Sequence, residues 1–216
     1  MSQLQWWASE SFWRKTAIWV TAGSFVVLIV LTLDSMSAIT AGGTRVPAYS
    51  VINHRIDYVF DEKRNFQVPV IGVEEPLFGK TLTEAEAKAL VSRGKLTTQA
   101  KNCMNCHTLL GNGAYYAPDL TKSWLDPSWG SKEVREQQMV DFLMNPQDRL
   151  HNGLGRRMPN LGITGDEARA TVAFLKWMAS IDTNGFPANF TPIDQSDPPP
   201  AEAPADSGSP TQQQGG

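Results

Sequence analysis

Cysteine is scarce in this chain. There are two in 216 residues, and both fall in Cys103-Met104-Asn105-Cys106-His107. None is left over for a disulfide to another segment or for a thiolate cluster. Histidine is sparse too, three in all. His54 and His151 lie far from the thiols and lack finger spacing, which argues against a four-ligand zinc site. The flanks of the cysteine stretch lack a βαβ pattern, so a thioredoxin-like dithiol is disfavoured as well. Positive charge is not in excess. With a net charge of −3, bulk electrostatics give no reason to expect nucleic-acid binding. Charged side chains are missing altogether from 16–33, TAIWVTAGSFVVLIVLTL.

The cysteine stretch is a C-x-x-C-H run, the attachment signature of a c-type haem. Two thiols about one helical turn apart can each bond a vinyl group on one porphyrin edge. The next residue, His107, then brings its imidazole to the iron as proximal ligand. The expectation is one covalent haem c held by Cys103 and Cys106.

Such haems are attached outside the cytoplasmic membrane, which makes the uncharged run at 16–33 informative. About 18 residues give roughly 27 Å of helix, close to the hydrocarbon thickness of a bilayer. Trp6, Trp7 and Trp13 suit the interfacial belt, and Arg14 and Lys15 before the span place the N-terminus in the cytoplasm. A cleaved signal peptide has a shorter apolar core, and a buried soluble helix would be amphipathic. An uncleaved single-pass anchor is the preferred reading, with everything after Asp34 external.

Along the rest of the chain, 51–60 and 66–71 are β-prone around the charged cluster Asp61-Glu62-Lys63-Arg64-Asn65, which suggests a short hairpin. Pro69 demotes its second run to an edge. The plainer alternative is a connector lying on a partner, with His54 a surface or packing histidine. Thr83 with Glu86 forms a capping box that opens a helix running towards Thr98. Gly94 inside that helix signals close backbone approach, with Phe174 or Trp177 as its counterpart. Ser131–Met144 reads as a second helix, ended by Pro146. Thr164 with Glu167 caps a last helix bearing Ala170, Val172, Ala173, Phe174, Trp177 and Ile181. From Asp194 onward the composition is that of a disordered tail.

The fold class expected is therefore all-α: a single N-terminal transmembrane helix plus a class I-like monohaem cytochrome c domain. Residues 1–36 form the N-terminal segment and anchor, 37–80 an extended connector, 81–190 the cytochrome domain and 191–216 a Pro-rich tail. Met158 is the first candidate for the distal iron ligand. It lies in a loop before the last helix, Pro159 stiffens the backbone beside it, and a soft thioether raises the reduction potential. His151 is its rival, and an open iron is the third alternative. Either Arg156 or Arg157 is a candidate to pair with a haem propionate, set against two solvated surface arginines. Pro118 lies where its carbonyl can accept from the free ring nitrogen of His107.

The strings CxxCH-x-LLG-x-GAY-x-AP-x-L (Cys103 to Leu120), RRMP (Arg156 to Pro159) and FLKW-x-x-x-IDTN-x-x-P (Phe174 to Pro187), behind an N-terminal anchor, resemble the cytochrome c subunit of bacterial nitric oxide reductase. The resemblance covers the anchor and most of 81–190. It implies an electron-entry subunit with His107 and Met158 on the haem iron. Its partner would be an integral-membrane catalytic subunit with two b haems and a non-haem iron, which reduces nitric oxide to nitrous oxide. Catalysis would belong to that partner. Electrons would come from a soluble donor such as a small cytochrome c or cupredoxin. The implied location is the bacterial inner membrane with the haem domain in the periplasm. The resemblance further implies that Gly113, through its carbonyl, and Tyr115 contribute to a calcium site shared with the partner. The stretch 41–80 is longer than the family pattern, and the tail is extra. Two rivals remain at this point: the monohaem c subunit of a high-affinity haem–copper oxidase, and a haem-based gas sensor.

Overall fold

The computed structural model describes residues 6–146 and 157–188. The chain divides into two units between Val46 and Pro47.

The first unit is built on one helix, α1 (Glu10–Ile39), preceded by a 3-10 turn at Trp6–Ala8. α1 is the one helix among the described residues long and apolar enough to cross a membrane, and none of it is buried in protein. It extends beyond the uncharged run at both ends, because neither Arg14-Lys15 nor Asp34-Ser35 contains a breaker. Two of its hydroxyls are returned to its own backbone. Thr32 Oγ1 donates to Leu28 O at 2.7 Å and Ser37 Oγ to Asp34 O at 2.8 Å, which suits surroundings without water. Trp6, Phe12 and Trp13 cluster edge to face at the N-terminal end.

The second unit is mostly helical, with a long antiparallel hairpin near its start. Strands β1 (His54–Asp61) and β2 (Phe66–Glu74) pair with Asp61 opposite Phe66, Tyr58 opposite Pro69 and Ile56 opposite Ile71. The Asp61 carboxylate accepts from Lys63 N and Arg64 N, and Asn65 supplies the positive φ of 58° that closes the turn. Helix α2 (Glu84–Ala100) and helix α4 (Gly165–Ala179) both start from complete capping boxes, Thr83/Glu86 and Thr164/Glu167. Helix α3 (Lys132–Met144) is shorter. A minimal ribbon, β3 (Thr108–Leu109) with β4 (Asn112–Gly113), follows the cysteine stretch.

Gly94 is where α2 and α4 touch. A Cβ there would lie 2.0 Å from Ala170 O and 2.8 Å from Phe174 Cβ. The large counterpart is Phe174, and Trp177 turns elsewhere. Its indole donates to Pro47 O at 3.2 Å and stacks on Tyr49 at 5.2 Å.

The compact unit begins at Pro47, well before the boundary at 81 drawn from the sequence. The physical reason is burial. Val51, Ile52, Ile56, Tyr58 and Leu77 share one core with Val91, Phe174 and Met178, so 47–80 is not a connector laid on another surface. Polar groups fasten it as well. The Asn53 amide exchanges two hydrogen bonds with the Leu82 backbone, at 2.8 and 2.9 Å. Glu84 accepts from Tyr49 N and Ser50 N, and Tyr58 Oη donates to Ala179 O at 2.7 Å. At the hairpin tip, Arg64 forks onto Asp182 and Asn184.

Candidate functional site

α2 delivers the chain to the cysteines through a sharp reversal. Lys101 caps the helix, Asn102 takes a left-handed φ of 54°, and Cys103–Asn105 form a 3-10 turn. His107 N donates to Cys103 O at 3.0 Å, closing the loop. Neither cysteine is in a disulfide, and both are half-buried.

His107 Nδ1 lies 2.7 Å from Pro118 O. A carbonyl only accepts, so Nδ1 carries the proton in this contact and Nε2 is left with its lone pair. Pro118 is itself held by its neighbours. Ala117 N donates to Cys106 O at 2.8 Å and Leu120 N to Thr108 O at 2.8 Å. The Asp119 carboxylate accepts from Thr108 Oγ1 at 2.6 Å and from Thr121 N at 2.8 Å. The β3–β4 turn uses positive φ at Leu110 (50°) and Gly111 (78°), the pattern of a tight hairpin. At Gly113 a Cβ would fall 2.2 Å from His107 O, so only glycine lets this ribbon pack behind the histidine.

Cys103, Cys106 and His107 open onto one cavity of about 170 Å³. Met158, half-buried against the core, lines the same cavity, flanked by Arg157 and Pro159. The remaining lining is mainly apolar, with Leu120, Trp129, Met139, Phe142 and Leu175 prominent. Two thiols, one imidazole of fixed tautomer and a thioether on one apolar cavity make a donor set that fits a covalent haem. Met139 is a second thioether on the lining, but it projects from α3 and is 2% exposed, packed into the core. Arg157 stands exposed at the lip. Arg156 and His151 lie outside the described residues.

Tyr115 is 80% exposed and donates to Gly111 O at 3.3 Å. It shares an exposed loop with Gly113, beside the cysteine stretch. Among the described residues no group of three His, Cys, Asp or Glu side chains is placed to hold a metal ion.

Three buried cations have no counterpart among the expectations drawn from the sequence. Lys122 is 5% exposed, Arg135 4% and Lys176 0%. Lys176 Nζ donates to Glu75 O at 3.0 Å and lies 5.2 Å from the centre of the Trp124 ring, with the Arg135 guanidinium 5.4 Å from the same ring. Burial pushes Lys176 down to about 8 against the attraction of Glu75 and Glu136. Burial pushes Lys122 down to about 7, opposed by Asp182. A signal existed for Lys176: it is the sole charge in the run 170–181. Asp119 carried none.

Residues 91–179 match the family model for cytochrome c. The NorC chain of nitric oxide reductase from Stutzerimonas stutzeri is 34% identical over 117 residues, covering 53% of this chain and 76% of that protein. This chain belongs to the NorC family. NorC of Paracoccus denitrificans is similar to the same degree, 34% over 112 residues, with 51% of this chain and 73% of that protein covered. As a cytochrome c-type chain it binds haem c, which the thiols and imidazole described above accommodate.

Proposed function

We propose that this chain is the membrane-anchored electron-transfer subunit of a nitric oxide reductase, with Cys103 and Cys106 bonded to the porphyrin, His107 Nε2 as proximal ligand and Met158 Sδ as distal ligand. The observation that carries the reading is the fixed imidazole and the Met158 loop opening onto one apolar cavity. A haem held by these residues would supply one-electron redox chemistry. The chain's own contribution is to hold the ligands still and keep water off them. Pro118 fixes the His107 ring, and Leu120, Phe142 and Leu175 form apolar walls. Arg157, exposed at the lip, would pair with a propionate, with Arg156 beside it in sequence.

α1 is the membrane anchor, and Arg14 and Lys15 orient it with the N-terminus inside and the haem unit in the periplasm. Electrons come from a soluble donor, a small cytochrome c or a cupredoxin, and pass to the integral-membrane catalytic subunit with its b haems and non-haem iron. Tyr115 and the Gly113 carbonyl, exposed beside the attachment site, are proposed to complete a calcium site with that partner.

The test is the complex purified in mild detergent, assayed for nitric oxide and for oxygen turnover, with its iron and copper counted. Nitric oxide turnover without copper is expected; copper in the partner with oxygen turnover would overturn the assignment. Carbon monoxide added to the reduced protein should not bind rapidly. Rapid stoichiometric binding would remove Met158 as a firm ligand and point to a gas sensor.

A further inference from the structure

We infer that Lys122 is a proton-binding residue that sets the reduction potential of the haem, so that electron uptake at this site is coupled to a proton. The inference rests on the electron-transfer reading above.

Lys122 follows closely on a residue of the cavity wall, and its side chain runs behind that wall to Tyr58 and Ile181. Leu120 and Ser123 on either side of it line the cavity, while its own side chain is buried behind them. Its ammonium is bound by neutral oxygens, Tyr58 Oη and, at 3.0 Å, Ile181 O. Tyr58 Oη spends its own proton on Ala179 O, so what it offers Lys122 is a lone pair. The charge also sits 4.4 Å from the centre of the Tyr58 ring. Neither acceptor is a carboxylate, so the charge is solvated but not neutralised.

The groups that face it are few. From β1 comes Tyr58. From the segment after α4 comes Asp182, already forked by Arg64 of the hairpin turn at 2.7 and 3.2 Å. On its own stretch, Asp119 is engaged by Thr108 and Thr121, and Asp126 accepts from Ser128 N. Trp124, two residues along, is flanked by Lys176 and Arg135, two further cations.

Oxidising the iron adds one positive charge to the cavity. Like charges across a poorly polarisable wall repel, so Lys122 holds its proton more tightly when the iron is ferrous. Reciprocity of linkage then requires the potential to fall as Lys122 loses its proton. On reduction one electron enters from the donor and Lys122 takes up part of a proton from solvent; on oxidation both leave. Burial sets the ammonium to titrate near neutrality, at about 7, where the coupling acts under ordinary conditions.

The experiment is a potentiometric titration of the full-length haem-loaded protein in detergent from about pH 5.5 to 9, on the wild type, Lys122→Met and Lys122→Arg. In the wild type the midpoint falls as pH rises through the window. At the acid end, Lys122→Met lowers the reduced-to-oxidised ratio at a fixed potential by up to about tenfold, at most about 59 mV for one electron, and its midpoint is flat near neutrality. Lys122→Arg keeps its charge throughout, so it stays at the high potential and is also flat. A variant with a normal haem spectrum and the wild-type pH slope would overturn the inference, because the proton would then sit elsewhere. Should Lys122→Met not fold, the slope of Lys122→Arg decides alone. Failure of the reading beneath it looks different: the wild type itself would lack covalent haem.

Discussion

Replacing Gly94 with alanine sets two opposing magnitudes against each other. Alanine is the better helix former, by about 0.8–1.0 kcal/mol in a helix interior. In an isolated α2 the substitution would therefore stabilise. In the folded unit the new methyl would stand 2.0 Å from Ala170 O, 2.5 Å from Ala170 C and 2.8 Å from Phe174 Cβ. The first two are backbone atoms of α4 and cannot rotate away. The helices must part by roughly 1 Å, which loosens Val91 and Phe174 and belongs to the class of overpacking changes that costs about 1–3 kcal/mol. A net loss of about 1–2 kcal/mol follows, or roughly 3–6 °C in Tm for a unit of this size. Thermal melts of the haem-loaded protein followed by far-UV circular dichroism measure it. α2 leads into Cys103, and α4 carries Thr171 and Leu175 on the cavity wall. The variant should therefore also bind carbon monoxide more readily. An unchanged or raised Tm would refute the reasoning, since helix propensity would then outweigh the contact.

Met158→Ala should lower the haem potential or admit exogenous ligands to the iron, read from the optical spectrum and a redox titration; an unchanged spectrum and potential would remove it as ligand. Tyr115→Ala should weaken retention of the catalytic subunit or of calcium while leaving haem c in place, measured by co-purification and metal analysis. Folding stability should rise with pH between about 7 and 10.4. In that window unfolded chains carry protons on Lys122 and, above about 8, on Lys176 that the folded protein does not bind. Urea melts near neutrality and at alkaline pH check the sign, and Lys122→Met should flatten the slope. Tyr58→Phe removes the oxygen between Lys122 and Ala179 O and should cost about 1–3 kcal/mol, while shifting the inflection of the midpoint-versus-pH curve to lower pH.

Features written in local patterns were legible from the sequence. The attachment run, the apolar span and both capping boxes each need only a few neighbouring residues, and all are present. Gly94 was readable as a contact point because a glycine inside a helix is costly without a reason. The membership of 47–80 in the core was not legible. Tyr58 and Ile56 look like any half-buried strand, and what buries them is α4, more than a hundred residues later. Lys122 was invisible for the same reason: a lysine reads as a solvated charge until the fold brings Tyr58 and the Ile181 carbonyl over it. Arg156 and His151, two of the candidates around Met158, lie outside the described residues, and their assignments stay where the sequence left them.

The corner that carries Cys103 and the stretch that follows Met158 are tied together by a single side chain. Lys101 Nζ donates to Leu161 O at 3.3 Å and to Gly162 O at 3.0 Å, and it lies 3.7 Å from the Glu167 carboxylate that caps α4. The attachment corner and the run just after Met158, the proposed distal ligand, are thus moored to one strut. A redox centre whose two mooring points cannot drift apart rearranges little when its oxidation state changes, and a small rearrangement is what lets charge hop quickly between neighbouring carriers.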